Sequence, residues 1–371
     1  MYLRSGLTAA TTAVLVVVSA TAGYAAPVDS TPEPSSHADY GGVYTSVQVG
    51  SRLFVGGSFT SVDGTARVRL AALDATTGRL DTSFRVDVDG DVKALATDGT
   101  NLYIGGKFAK VGGVSRKNLA AVNASTGAVV SGYDPAPSGM VRDLAYSGGE
   151  VYAGGSFTSI GGTSATYLAA TSTGTGAVDR GFPSANGPVY AVKAVGSTIW
   201  VGGDFSAVGA TSRSKVAAVS TGGAVQAYRA TPGAPVYDLA VDSAGVFLAT
   251  AGGLPSGNSL YKTTSAGAKV WQVATDGNLQ AVTVLDGTVY AGGHFGNLCG
   301  STTKGCSNTT SAKKSFVADA GGSTPNARKW ARFNSALGVW DLVVAGGSVY
   351  ALGVFTQVNG KPVPRIARFA G

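Results

Sequence analysis

The hexamer Phe54-Val55-Gly56-Gly57-Ser58-Phe59 returns as YIGGKF from Tyr103, YAGGSF from Tyr152, WVGGDF from Trp200 and YAGGHF from Tyr290, and degrades to YALGVF from Tyr350. A seventh copy, FLATAGG from Phe247, keeps the aromatic and its neighbours without the glycine pair in register. The position equivalent to the first glycine, held by Ala249 and Leu352 in the two degenerate copies, falls at 56, 105, 154, 202, 249, 292 and 352, so the repeat is between 43 and 60 residues long. A period in this range marks a repeat architecture, in which one small unit buries its apolar face against its own copies.

Each unit reads alike. A G-x-V-x-x-L segment precedes a short turn, an aromatic-led segment ends in GGxF, and a loop then leads to an L-A-A segment, a T-G turn and a segment with another aromatic. In the second unit these segments are residues 92–97, 102–108, 118–123 and 128–133. Short runs of this kind, bounded by Gly, Asp, Asn, Ser or Pro, are strands joined by tight turns, and nothing beyond the N-terminal region holds a helical period. Four short antiparallel strands per unit predict an all-β, seven-bladed β-propeller over residues 43–371, with repeats starting near 43, 92, 141, 189, 236, 279 and 339.

The columns of the repeat have physical readings. The aromatic position holds Phe54, Tyr103, Tyr152, Trp200, Phe247, Tyr290 and Tyr350, and the GGxF phenyl recurs at Phe59, Phe108, Phe157, Phe205, Phe295 and Phe355. Both predict packing between blades. The glycines predict close approach of neighbouring sheets, or a strand that kinks where a Cβ would clash. The last unit stops after its third strand, so Ser36–Tyr40, in a leader spanning 26–42, is expected to supply the missing strand and close the ring.

The GGxF repeats with their L-A-A and T-G elements resemble the delta-60 repeat family of secreted bacterial β-propellers and, more distantly, the repeats of the fungal cortical-marker Rax2 proteins. The resemblance covers residues 43–371 and implies the propeller fold. That family is defined by its repeat, so the resemblance implies no catalytic signature.

Composition agrees with a folded chain. Of 371 residues, 55 are Gly and 13 Pro, too few together for a low-complexity sequence, while 44% are hydrophobic and only 13% charged. Residues 1–25 carry an early cation at Arg4, an apolar centre at 13–18 and a small-residue exit, the order of a secretory signal, with cleavage after Ala22 or after Ala25. Export predicts an extracellular protein with no stable membrane span after cleavage. It also predicts a disulfide between the only two cysteines, Cys299 and Cys306. A formal charge of +7 without clustered Lys/Arg on one element falls short of a nucleic-acid footprint. The chain is expected to act as a monomer.

Candidate chemistry is sparse. There is no nucleophile elbow, Walker loop, HExxH or dinucleotide fingerprint. The only histidines are His37, in the Pro/Ser-rich leader, and His294, in the variable slot of GGxF; the only glutamates are Glu33 and Glu150. Eleven residues before each first-glycine position stand Thr45, Ala94, Asp143, Ala191, Asp238, Ala281 and Asp341. The aspartates of this column either hydrogen-bond backbone amides of neighbouring blades or form a channel cluster for a cation or a sugar. Asp87, Asp89 and Asp91 form a compact acidic loop that could take Ca2+, although it lacks the glycine position and bidentate glutamate of an EF-hand. No other cofactor is expected.

The residue before the Asp column is Tyr44, Lys93, Arg142, Tyr190, Tyr237, Gln280 and Trp340. In a propeller this position opens on the same face as the loops carrying Arg67, Arg69, Arg116, Lys117, Arg213, Lys215, Lys313, Lys314, Lys361 and Arg365. Aromatic rings stack on apolar sugar faces and cations pair with carboxylate or phosphate. These seven residues with Asp143, Asp238 and Asp341 are the expected ligand-binding set, for an extracellular glycan, an anionic envelope polymer or a protein partner. The alternative is a polysaccharide hydrolase or lyase working through the channel aspartates. A second candidate surface is the insertion at 296–314 that carries the cysteine pair.

Overall fold

A computed structural model describes residues 26–253, 257–300, 306–335 and 337–370, and every regular element in it is a β-strand. The secretory signal expected at 1–25 lies outside the described residues. Among those described, no helix is long and apolar enough to cross a membrane.

Among the described residues, seven sheets share one plan. Their first strands are Val43–Val49, Asp91–Thr97, Val141–Ser147, Val189–Val195, Val236–Asp242, Asn278–Leu285 and Val339–Ala345. Each pairs antiparallel with its GGxF-type strand, which pairs in turn with an L-A-A-type strand; in the third sheet these are Glu150–Gly155 and Leu168–Ser172. Every first strand packs against the first strand of the next sheet, and Val339–Ala345 packs against Val43–Val49.

The hydrophobic core lies between sheets, not within one. Phe54, Phe84, Leu102 and Ile104 share a cluster between the first and second sheets, and Val43, Val55, Tyr350 and Leu352 share one between the first and last. The second-strand aromatics meet the aromatic of the fourth segment, edge-on in Phe54–Phe84 at 4.9 Å and Trp200–Tyr228 at 4.8 Å and tilted in Tyr152–Phe182 at 5.0 Å. The GG pair does two separate things. A Cβ on Gly154 would strike Val189 and Val192 of the next sheet, whereas a Cβ on Gly155 would strike the Met140 carbonyl of its own sheet. The first glycine thus lets sheets approach, and the second lets the first strand lie close to the second.

Two expectations need correction. In the first four sheets the fourth segment is not a full strand: it keeps a single bridge, such as Leu73 to Leu80 or Val122 to Val129. In the first and third of these an Asx turn then ends the pairing, with Asp81 Oδ1 accepting from Ser83 N and Asp179 Oδ1 from Gly181 N. The fifth sheet has a seven-residue fourth strand, Lys269–Thr275, and the sixth a two-residue one, Arg328–Lys329. The second correction concerns Ser36–Tyr40. The last sheet is met by Glu33, whose amide donates to Arg368 O at 2.8 Å, while Ala38–Asp39 pairs with Ser61–Val62 beside the first sheet. The leader is laid across three sheets, with Val28 N on Tyr290 Oη in the sixth at 2.8 Å and Ser36 N on Gly78 O after the first at 2.8 Å. Its prolines, which cannot donate to a ladder, explain why it forms isolated contacts and not a strand.

Candidate functional site

Each of the seven first strands carries a β-bulge in the same place. The register shifts between Val43 and Thr45, Val92 and Ala94, Val141 and Asp143, Val189 and Ala191, Val236 and Asp238, Leu279 and Ala281, and Val339 and Asp341. The residue skipped is in turn Tyr44, Lys93, Arg142, Tyr190, Tyr237, Gln280 and Trp340, the whole set expected to bind. A bulge leaves its extra residue unpaired and re-aims the side chain. Here all seven line one cavity of about 170 Å³, together with Asp143, Asp238 and Asp341.

The rim is aromatic and basic. Lys93 Nζ lies 3.5 Å from the centre of the Tyr44 ring, and the Arg142 guanidinium 5.2 Å from that of Tyr190. Tyr190 meets Tyr237 with ring centres 4.8 Å apart, and Tyr44 meets Trp340 edge-on at 5.6 Å. Lys93 also pairs with Asp91 at 3.1 Å; burial, with the Arg142 charge nearby, lowers its pKa against the opposing pull of Asp91. Arg142 is exposed and has no carboxylate within ion-pair distance among the described residues.

The floor is acidic and already knitted together. Asp143 Oδ1 accepts from its neighbour Leu144 N at 2.9 Å and Oδ2 from Val192 N of the next sheet at 2.8 Å. Asp238 repeats the arrangement with Leu239 N and Val282 N, both at 2.8 Å. Asp341 breaks it: its Oδ2 accepts from the Ser46 hydroxyl at 2.6 Å. Lys193, which sequence reasoning missed, stands 3.8 Å from Asp143 and 3.6 Å from Asp238. Asp143 above all, and then Asp238 and Asp341, hold its ammonium well above the usual lysine range. Burial pushes Asp238 upward and raises Asp341 to about 6. The same floor residues Ser46, Lys193, Asp238 and Asp341 also line a second, more apolar opening of about 420 Å³ walled by Val47, Ala96, Ala145, Ala194, Val241 and Val343.

Other expected features have separate places. Arg67, Arg116 and Arg213 do not join the rim. They are buried and donate to carbonyls of Ala66 and Thr82, of Ser115, Val130 and Ser131, and of Ser212 and Gln226, which ties each outer hairpin to the segment after the T-G turn. Arg69 and Arg365 likewise donate to backbone carbonyls, of Val88 and of Gly41 and Ala38. In the acidic loop Asp87 takes Val68 N and Arg85, Asp91 takes Lys93, and Asp89 caps Ala109 N and Lys110 N at 2.8 Å each. Ser138, Asn186, Asp276 and Asn334 perform the same cap in other repeats, so Asp89 belongs to a structural column. Among the described residues no group of three or more His, Cys, Asp or Glu is arranged to hold a metal ion.

Cys299 and Cys306 are joined in a disulfide. Their insertion is an enlarged outer hairpin: Asn297–Cys299 pairs with Thr310–Ser311 and with Lys269–Thr275. None of its described residues lines the rim cavity, and neither do His37 and His294.

The comparisons agree on the fold class. Residues 51–84 match the family model described as a domain of unknown function (DUF5122) beta-propeller. Among solved structures, the WD40 beta propeller domain of Doa1 aligns with TM-score 0.55 at 12% identity, covering 91% of this chain and 96% of that one. The computationally designed Ika8 protein aligns with TM-score 0.55 at 10% identity, covering 92% and 100%. Identities this low show the fold alone: the chain is a β-propeller protein. No curated protein matches it.

Proposed function

We propose that the chain is an exported, monomeric, seven-bladed propeller, residues 43–371, that binds extracellular glycans through the rim formed by Tyr44, Lys93, Arg142, Tyr190, Tyr237, Gln280 and Trp340. Closure of the ring is supported by the packing of Val339–Ala345 on Val43–Val49 and by the leader laced over the sixth, seventh and first sheets. The disulfide supports an oxidising compartment.

The observation that carries the binding proposal is the bulge. A strand needs none to make a blade, yet all seven carry one at the same place, and together they deliver four aromatic rings, two cations and an amide to one mouth. The acid–base alternative, a polysaccharide hydrolase or lyase, is disfavoured because both oxygens of Asp143 and of Asp238 already accept backbone amides. A carboxylate so engaged is poorly placed to exchange protons with a substrate. That leaves Asp341, with one unengaged oxygen, without the second free carboxyl that glycoside hydrolysis commonly needs.

A glycan array probed with the full exported chain tests the proposal, with Trp340→Ala and Tyr237→Ala as rim variants checked for folding by circular dichroism. Retention of a defined set of glycans, lost in both variants, is expected. Retention that survives both substitutions, or no retention by the folded protein, contradicts it.

A further inference from the structure

Charge is distributed unevenly over the cavity, and the unevenness selects among glycans. The two rim cations come from adjacent sheets, the second and third. Lys93 has Asp91 for a partner; Arg142 has only the face of Tyr190 among the described residues. Two like charges held side by side over aromatic rings repel, and an anion between them would relieve both. Below them Asp143, Asp238 and Asp341 outnumber Lys193 three to one, so an anion is favoured at the rim and disfavoured at the floor. The floor offers something else. Asp341 Oδ1 accepts no hydrogen bond within the described chain, because Ser46 engages only Oδ2. A carboxylate oxygen facing a cavity is a strong acceptor for a hydroxyl.

On the wheel proposed above, Asp341 in the seventh sheet stands nearly opposite Arg142 in the third, with Tyr190 and Tyr237 between them on one side, Tyr44 and Lys93 on the other, and Trp340 beside Asp341 on its own strand. Resting on the glycan-binding proposal, we propose that the mouth is specific for an acidic sugar residue: the sugar carboxylate pairs with Arg142 and Lys93 at the rim, the ring lies against Tyr190, Tyr237 and Trp340, and a hydroxyl donates to Asp341 Oδ1 below. The opposed charges fix the direction in which the sugar enters, and the small cavity accepts the end of a chain and not its middle. Drug-sized ligands occupy pockets of roughly 300–1,000 Å³, larger than the 170 Å³ here. The unpartnered Trp340 Nε1 and Gln280 Oε1, both shielded from solvent, sit beside this space and gain a ring hydroxyl as partner if either side chain rotates toward it.

The test is calorimetric titration of the full chain with two matched oligosaccharide series, one ending in glucuronic acid and the other in glucose, at low and high salt. A charge-assisted bond that survives partial exposure corresponds to about tenfold in affinity. The acid-terminated series is therefore expected to bind about tenfold tighter or more at low salt, with the advantage reduced at high salt and abolished in Arg142→Gln. Arg142 is exposed and structurally unencumbered, so this variant folds. Equal binding of the two series overturns the acidic-sugar specificity while leaving glycan binding intact. An acid preference unchanged in both Arg142→Gln and Lys93→Gln places the site elsewhere and also overturns it. Binding of neither series to the folded protein overturns this inference, and a blank glycan array would overturn the broader one with it.

Discussion

Lys193 Nζ stands 3.6 Å from Asp238 Oδ1, so a cation of the fourth sheet reaches a carboxylate of the fifth across the bottom of the cavity. With Asp143 at 3.8 Å on its other side, it is the one cation compensating three floor carboxylates among the described residues. Replacing it by Met keeps the apolar stem and removes the charge. Breaking a fully buried pair costs about 3–5 kcal/mol. Because 43% of this lysine side chain remains exposed, screening lowers the expected cost of Lys193→Met to roughly 1–2 kcal/mol near neutral pH. Denaturant unfolding at several pH values should show that cost shrinking toward acid, as the carboxyls protonate. Unchanged stability at neutral pH would remove the lysine from this role.

Asp341 gives a second pH dependence with a definite sign. Its folded-state value is raised to about 6, above the unfolded value, chiefly by burial. The folded protein therefore takes up this proton before the unfolded chain does on acidification. The resulting stability is fully present below about pH 4, the ordinary aspartate range, and is lost as pH rises through about 6. Asp341→Asn, which can still accept from Ser46, should be more stable than the natural chain above pH 7, by roughly 1–3 kcal/mol, with no such advantage below pH 4. Parallel stability curves across this range would contradict the assignment.

The two glycines of one pair should answer differently to alanine. Gly154→Ala drives a methyl into Val189 and Val192 of the next sheet, at an expected cost of about 1–3 kcal/mol. Adding Val189→Ala should recover part of it, seen as a favourable coupling in a double-mutant cycle. Gly155→Ala meets the Met140 carbonyl, which no side-chain substitution removes. The same Val189→Ala should leave its cost intact. Equal rescue of both would dissolve the distinction between sheet approach and strand kinking.

The disulfide should matter for stability and not for ligand. Replacing Cys299 and Cys306 by serine releases a short loop, worth about 2 kcal/mol in the chain-entropy account, and should lower the melting temperature. Glycan affinity should stay unchanged, because none of the described residues of that hairpin lines the rim. A large affinity loss in the folded double variant would make the hairpin part of the site.

Much of this was legible in the repeat. Aligning the hexamers was enough to bring Tyr44, Lys93, Arg142 and their counterparts into one column, and the structure gathers that column at one cavity. The reason for the gathering was also present but unread. In V-x-x-L, as in Val92-Lys93-Ala94-Leu95, two apolar positions stand three apart, which breaks the two-residue period of a strand and signals an extra residue. Lys193 was legible by the same alignment, since its column otherwise holds Val47, Ala96, Ala145, Ala240, Thr283 and Val343. What columns could not reveal was depth. Arg116 and Arg142 look alike as letters, but one spends its donors on buried carbonyls and the other reaches the mouth. Nor could spacing show that Glu33, and not Ser36–Tyr40, would meet the last sheet, because a leader with three prolines carries no strand period to read.

The central claim is that seven bulges on a closed wheel aim their side chains at one ligand. A crystal structure of the protein with a bound acidic oligosaccharide tests it most directly. The account predicts seven sheets in a ring and a terminal sugar seated among Tyr190, Tyr237, Trp340 and Arg142. A sugar bound on the outer hairpins or at the opposite, apolar opening, or a chain whose first and last sheets stand apart, would contradict it.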